Sequence, residues 1–238
     1  MNKIIFIGTH GVGKTTLLED VRSHINTLAK FNINNLKDKI VFITETPREW
    51  QKLNKVNWRE MDSEDYMCFQ RAVFSYYHWA LGLNNNIISD RGLPDIVAYT
   101  MHFINKTYYK NALPLDDLVH CATFDEDLNR MIGSLYDSEK YDVINGNLYE
   151  KKKTGAEVVH LGDVIPRPKL EPPPSTRPKH NKTFYFYKGK LDDLKDDQII
   201  IQDILEYLLY KYKIVHKVIY RSDYNDIKNE ILQSVDKW

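Results

Sequence analysis

Three patterns follow one another within residues 3–28, and their order limits the fold more than anything else in the chain. Lys3-Ile-Ile-Phe-Ile7 is a short, continuous apolar run of the kind that forms a parallel strand buried on both faces. Gly8-Thr-His-Gly-Val-Gly-Lys-Thr-Thr16 comes next and fits G-x-x-x-x-G-K-[ST], with Gly8, Gly13, Lys14 and Thr15 at the required positions. Leu17, Leu18, Val21, Ile25 and Leu28 then recur at helical spacing among charged residues. Glycines in such a turn let successive backbone N–H groups converge on an anion, at a helix N-terminus whose dipole already favours negative charge. Lys14 adds a cation suited to β- and γ-phosphates, and the Thr15 hydroxyl suits Mg²⁺. The plainer alternative is a strand-to-helix turn that holds no ligand, and the lysine, the threonine and both flanks argue against it. Gly8, Thr9, His10, Gly11, Val12, Gly13, Lys14, Thr15 and Thr16 are therefore the candidate ATP-binding residues.

A chain of 238 residues suits one α/β domain with an elaboration, and hardly more than two domains. No apolar run approaches the roughly 20 residues that span a bilayer, so no membrane partner is expected. The apolar N-terminal stretch is too short for a signal peptide and is needed as the first strand. Cys68 and Cys121 lack metal-ligand spacing, which points to a reduced cytoplasmic setting. Net charge is zero but unevenly spread. Between Lys151 and Lys190, ten Lys/Arg face three acids (Glu157, Asp163, Glu171), a local excess of +7. The neutral total argues against a general nucleic-acid coating protein, yet it leaves one basic segment able to meet phosphates.

Along the chain, Lys39–Thr44 reads as a second buried strand ending at Glu45. A polar stretch leads into a helix of about 18 residues, with Ser63 as N-cap and Gly82 as its stop. Asn86–Ser89 is a third strand, and Pro94 opens a helix through about Ile104. Leu115–Tyr136 is mostly helical by pattern. From about Lys140 to Asn181 the pattern breaks down, and Pro166, Pro168, Pro172-Pro-Pro174 and Pro178 exclude helix and central strand there. Thr183–Tyr187 is a strand and Lys188–Asp197 a charged loop. Ile201, Ile204, Leu205, Leu208, Leu209 and Tyr212 make one helical face, Ile214–Tyr220 a last strand, and Asp223 caps a final helix through about Val235. Strands alternating with helices imply a three-layer α/β/α arrangement around a mainly parallel, five-stranded sheet, with ligands at the carboxyl ends of the strands. The expected organisation is one domain over 1–238 with a basic, proline-rich insertion at about 140–182.

Polar groups cluster at the strand ends: Glu45-Thr-Pro-Arg-Glu-Trp50 after strand two, Phe69-Gln70-Arg71 on the next helix, and Ser89-Asp90-Arg91-Gly92 after strand three. With the phosphate loop, these segments resemble the P-loop nucleoside and nucleotide kinases, including the phage-type kinases filed as AAA-like ATPase domains. The resemblance rests on Gly8–Thr16, on Glu45-x-x-Arg48, on the run Asp90-Arg-Gly-Leu-Pro-Asp-Ile-Val-Ala-Tyr99, and on Glu45, Trp50 and Phe69-Gln70, which are similar to the deoxynucleoside and thymidylate kinase pattern. It covers roughly 1–115 and, more weakly, 183–238, and it leaves 140–181 unexplained. Where such kinases often carry a lid arginine, this chain has Lys195-Asp-Asp-Gln198.

The resemblance implies an ATP- and Mg²⁺-dependent phosphotransferase acting in the cytoplasm, with a virus-encoded origin acting in a host cell among its readings. It implies Lys14, Glu45, Asp90 and Arg91 as catalytic residues, with Glu45 the base on an acceptor hydroxyl. Thr15 and Asp90 would hold the metal. Arg48, Trp50, Gln70, Arg71 and Arg91 would bind the acceptor nucleoside or nucleotide, Gln70 by pairing with its base. Phosphoryl transfer needs positioning and charge neutralisation more than covalent chemistry, and these residue types supply both.

Each assignment has a rival. Glu45 could serve only as an ion-pair partner of Arg48 or Arg91, Asp90 could cap the next helix, and Gln70 could be an ordinary surface residue. His10 reads as a variable loop position rather than a catalyst. Two other functions stand beside the first. A kinase acting on a hydroxyl of a nucleic-acid strand would use the basic 151–190 segment to track phosphates, where the rival reading makes that segment a lid over ATP. A regulatory or mechanical P-loop ATPase is the third. Against a motor, strand three ends in Ser-Asp-Arg rather than paired acids. Against a GTPase, Asn54-Lys-Val-Asn57 and Asn105-Lys-Thr-Tyr108 lack the acid of Asn-Lys-x-Asp.

Overall fold

The computed structural model of the chain describes residues 2–30, 40–44, 46–57, 60–83, 85–115, 117–118, 141–144, 147–150, 159–163 and 181–238. Strand β1 (Asn2–Ile7) is central and buries both of its faces, so its side chains alternate between two cores. Ile5 and Ile7 point into one, with Phe186, helix α3 (Ser63–Gly82), helix α4 (Leu93–Tyr109) and helix α5 (Asp196–Lys211). Ile4 and Phe6 point into the other, with Tyr185, Tyr187, helix α1 (Lys14–Lys30) and helix α6 (Tyr224–Val235). Two helical layers therefore sandwich one sheet, as the alternation of elements predicts.

That sheet also contains β2 (Ile40–Ile43), β3 (Asn86–Ser89), β7 (Asn181–Tyr187) and β8 (His216–Ile219). Its order is β2-β3-β1-β7-β8, and every pairing is parallel. Ile5 sits opposite Ser89 on one side and Phe184 on the other. The carboxyl ends of β1, β2 and β3 consequently finish side by side, with the Asp90 N–H bonded to the Ile43 carbonyl at 3.1 Å. On the opposite layer, α6 is tied to α1 by the Tyr224 hydroxyl on Asp20 and by Lys228 at 3.3 Å from the same carboxylate.

Several local expectations are corrected. The polar stretch before Ser63 holds a helix, α2 (Thr46–Asn54), with Pro47 in its first turn, where a missing N–H is tolerated. Asp62, not Ser63, caps α3: its carboxylate accepts the Asp65 N–H at 2.9 Å. Helix α4 continues past Ile104 to Tyr109. The charged loop after β7 contains a 3₁₀ turn at Leu191–Asp193 and ends at Lys195, where α5 begins. Asp223 stands at the start of α6, but its carboxylate accepts the Tyr220 N–H at 2.9 Å and so closes the preceding turn.

In the stretch read as patternless, β4 (Tyr141–Ile144), β5 (Asn147–Glu150) and β6 (Val159–Asp163) form a separate antiparallel sheet. The two residues between β4 and β5 are Asn145-Gly146, the pair favoured for a two-residue hairpin turn, a signal that proline density overshadowed. The proline-rich run 166–178 and most of 115–136 lie outside the described residues. Among the described residues no helix is long and apolar enough to cross a membrane.

Candidate active site

The phosphate loop leaves β1 through three glycines at positive φ, a region side chains rarely adopt: Gly8 (φ 145°), Gly11 (φ 79°) and Gly13 (φ 109°). At Gly8 a side chain is excluded outright, since a Cβ would lie 2.5 Å from the Tyr187 carbonyl oxygen on β7. The loop closes into α1 through the Leu17 N–H to Gly13 carbonyl bond of 3.1 Å. Lys14 turns back inside this loop, its Nζ donating to the Gly8 and Thr9 carbonyls at 2.6 Å each.

Asp90 and Arg91 follow β3, one strand over. The Thr15 hydroxyl donates to Asp90 Oδ2 at 3.1 Å, so two hard oxygens from distant segments meet at the mouth of the loop. The rival role for Asp90, capping the next helix, belongs to another residue. Asp95 is fully buried, and its Oδ2 accepts the Gly92 N–H at 2.8 Å to close the first turn of α4. Its Oδ1 accepts the Gly8 N–H at 2.9 Å, which staples the end of β1 to the start of α4. Burial pushes the Asp95 carboxyl above its usual range, against the pull of Lys14, Arg91 and the two N–H donors. Burial likewise works against the charge on Arg91, but Tyr99, Asp95, Tyr77 and Asp90 around it outweigh this and raise its pKa.

One stripe of α4 serves this region. Asp95, Tyr99, His102 and Lys106 recur at helical spacing. Tyr99 bonds His10 of the loop. His102 and Lys106 hold Asp197 at the start of α5, at 3.4 Å and 2.9 Å. Burial lowers the His102 pKa while Asp197 opposes that, and the Lys106 hydrogen bond holds the Asp197 carboxyl low. Beside Asp197, Gln198 donates to the His10 carbonyl at 2.7 Å. The Lys195–Gln198 segment, where a lid arginine was sought, thus abuts the phosphate loop. None of Asp95, Tyr99, His102 or Gln198 was given a role of its own from sequence.

The candidate acceptor residues fare unevenly. Gln70 is no surface residue: it is 5% exposed, and its amide donates to the Tyr66 hydroxyl at 2.6 Å. Around it Trp50 packs on Phe69 (centroids 5.1 Å apart) and Tyr66 stacks on Phe103 (3.8 Å). Arg71 donates to Cys68 Sγ on its own helix, at 3.9 Å. Glu45 and the side chain of Arg48 lie outside the described residues.

A glycine loop between a central parallel strand and a helix, facing an acid and an arginine at the next strand tip, defines the P-loop NTPase class. The chain belongs within it to the AAA domain family, which matches residues 3–128, just over half of the length. Among solved structures, a thymidylate kinase from Ehrlichia chaffeensis is similar at 15% identity and a TM-score of 0.46, over 98% of this chain and 97% of that one. No curated protein matches the sequence.

Proposed function

We propose that the protein moves the γ-phosphate of ATP to a hydroxyl or phosphate of a nucleoside or nucleotide. The observation that carries this reading is the 3.1 Å bond between Thr15 of the phosphate loop and Asp90 at the neighbouring strand tip. It brings a metal-type donor pair to the place where the loop would present a terminal phosphate. Thr15 and Asp90 are the residues that would hold Mg²⁺, which when bound neutralises charge on the transferring group. Lys14 binds the β- and γ-phosphates once it exchanges the Gly8 and Thr9 carbonyls for phosphate oxygens. Arg91 adds a second fixed positive charge beside Asp90, and Glu45, following β2, takes the acceptor proton. The aromatic group of Trp50, Phe69, Tyr66 and Phe103 around Gln70 offers flat apolar walls with one amide among them, chemistry suited to a nucleobase.

Transfer of label from γ-³²P ATP to nucleosides, nucleoside monophosphates and DNA strands is the direct assay. Label on a nucleoside or its monophosphate, absent with Lys14→Ala, is the expected result. Label on a strand alone would move the acceptor to a polymer and assign the basic 151–190 segment to it. Full transfer by Lys14→Ala would end the proposal.

A further inference from the structure

One residue, Tyr99, touches both the phosphate loop and the next strand tip. Its hydroxyl oxygen accepts the His10 backbone N–H at 2.9 Å and lies 3.1 Å from His10 Nδ1. Arg91 Cζ also stands over the Tyr99 ring, 5.3 Å from its centroid. A phenol has two lone pairs and one hydrogen. The His10 amide is a donor and takes one lone pair, while Nδ1 is the neighbour able to accept, so the hydrogen goes to Nδ1. His10 is then the Nε2–H tautomer, with Nδ1 accepting. From the other side, Gln198 donates to the His10 carbonyl at 2.7 Å, and its own Oε1 is held by the Lys195 N–H at 2.8 Å. The His10 amide, ring and carbonyl are thus each engaged, two of them by Tyr99.

We propose that Tyr99 is a positioning residue that couples the Arg91 guanidinium to the phosphate loop at His10, so that the two halves of the site respond to each other. The meaning of those halves rests on the kinase reading above; the coupling itself does not. An anion that draws Arg91 away takes the guanidinium off the face of the Tyr99 ring and alters the ring's grip on His10. By reciprocity, a polyphosphate that reshapes the loop changes what Arg91 is offered. His10, inside the glycine loop, is therefore a junction rather than an idle position.

The test uses the full chain and a cycle of Arg91→Lys, Tyr99→Phe and the double variant, with thermal unfolding as the check on folding. Long-range ¹H–¹⁵N correlation of the His10 ring should show the Nε2–H tautomer in the wild type and a relaxed mixture in Tyr99→Phe. Arg91→Lys should move the His10 ring signals only when Tyr99 is intact. In calorimetric titration with Mg·ATP, Arg91→Lys should weaken binding by about threefold to tenfold, and by less than about twofold in the Tyr99→Phe background. A merely structural Tyr99 would lower the melting temperature without this non-additivity. Equal effects of Arg91→Lys in both backgrounds, or an Nδ1–H tautomer in the wild type, would overturn the proposal. Should the wild type bind no Mg·ATP, the kinase reading falls, and the ring signals alone decide the coupling.

Discussion

The two ends of β1 bury charge in opposite ways. At the amino end, Lys3 is 1% exposed and gives its protons to the carbonyls that finish α3, Leu81 and, at 3.2 Å, Leu83. Its partners are neutral carbonyls, and Lys182 lies beside it in register on β7. Burial, helped by Lys182, lowers its pKa to about 8. At the carboxyl end Asp95 is as deeply buried, but Lys14 and Arg91 attract it and two backbone N–H groups bind it. A charge met only by neutral carbonyls closes a helix at a cost, whereas opposite charges and N–H donors compensate the buried acid. The contrast separates two ways of burying charge along one strand.

Substitutions can break that contrast from its strongest side downward. Lys14→Ala should lower γ-phosphate transfer by about 10³-fold or more, since it removes the loop's mobile cation. Glu45→Gln should slow the chemical step by about 10²–10⁴ with little change in Mg·ATP affinity, checked by single-turnover transfer. An unaltered rate would leave Glu45 with a structural part only. Asp95→Asn keeps the shape but loses the charge and faces one of two N–H donors with an amide. We expect a loss of about 3 kcal/mol, or roughly 6–12 °C in melting temperature, together with weaker Mg·ATP binding. Gly92→Ala would place a methyl 2.9 Å from Ile5 Cγ2 and 3.0 Å from Ile7 Cγ2. It should cost about 1–3 kcal/mol in denaturant unfolding.

A pH-dependent effect is expected at Lys3. Its native pKa is about 8 and its ordinary value 10.5, so between those values the unfolded chain binds more proton. Below pH 8 both states are protonated and the burial penalty is complete. As pH rises from 8 to 10.5 the penalty is relieved, and the wild type gains stability relative to Lys3→Met. A difference between the two that stays flat over that window would show that the ammonium is not desolvated as described.

Signals that are local in sequence were readable. The glycine loop, Thr15 and the strands around it depend on neighbours a few residues away, and so does the alternation that buries both faces of β1. Asp90 was recognisable because it ends a strand next to Arg91. Asp95, Tyr99 and Gln198 were not, because their partners lie 87, 89 and 188 residues off. An acid at the third position of a helix looks like a cap from sequence, and Asp95 is one; nothing in the pattern says that its second oxygen reaches Gly8. Helix α2 was hidden by Pro47 and a polar run, since nine residues carry too few apolar positions for the helical period to stand out. The strands at 141–150 were missed for a different reason: prolines further along coloured the reading of a hairpin that Asn145-Gly146 announces.

The register of the main sheet has a consequence for how the molecule is made. β1 is made before both of its partners, which are a strand beginning at residue 86 and another beginning at 181. Closing the second of these loops is a late, long-range step, the kind that slows folding and leaves an apolar strand without its partner meanwhile. Nascent chains of intermediate length should therefore be the ones that chaperones hold, and the glycine turn, made well before β7, is among the last pieces to be set in place.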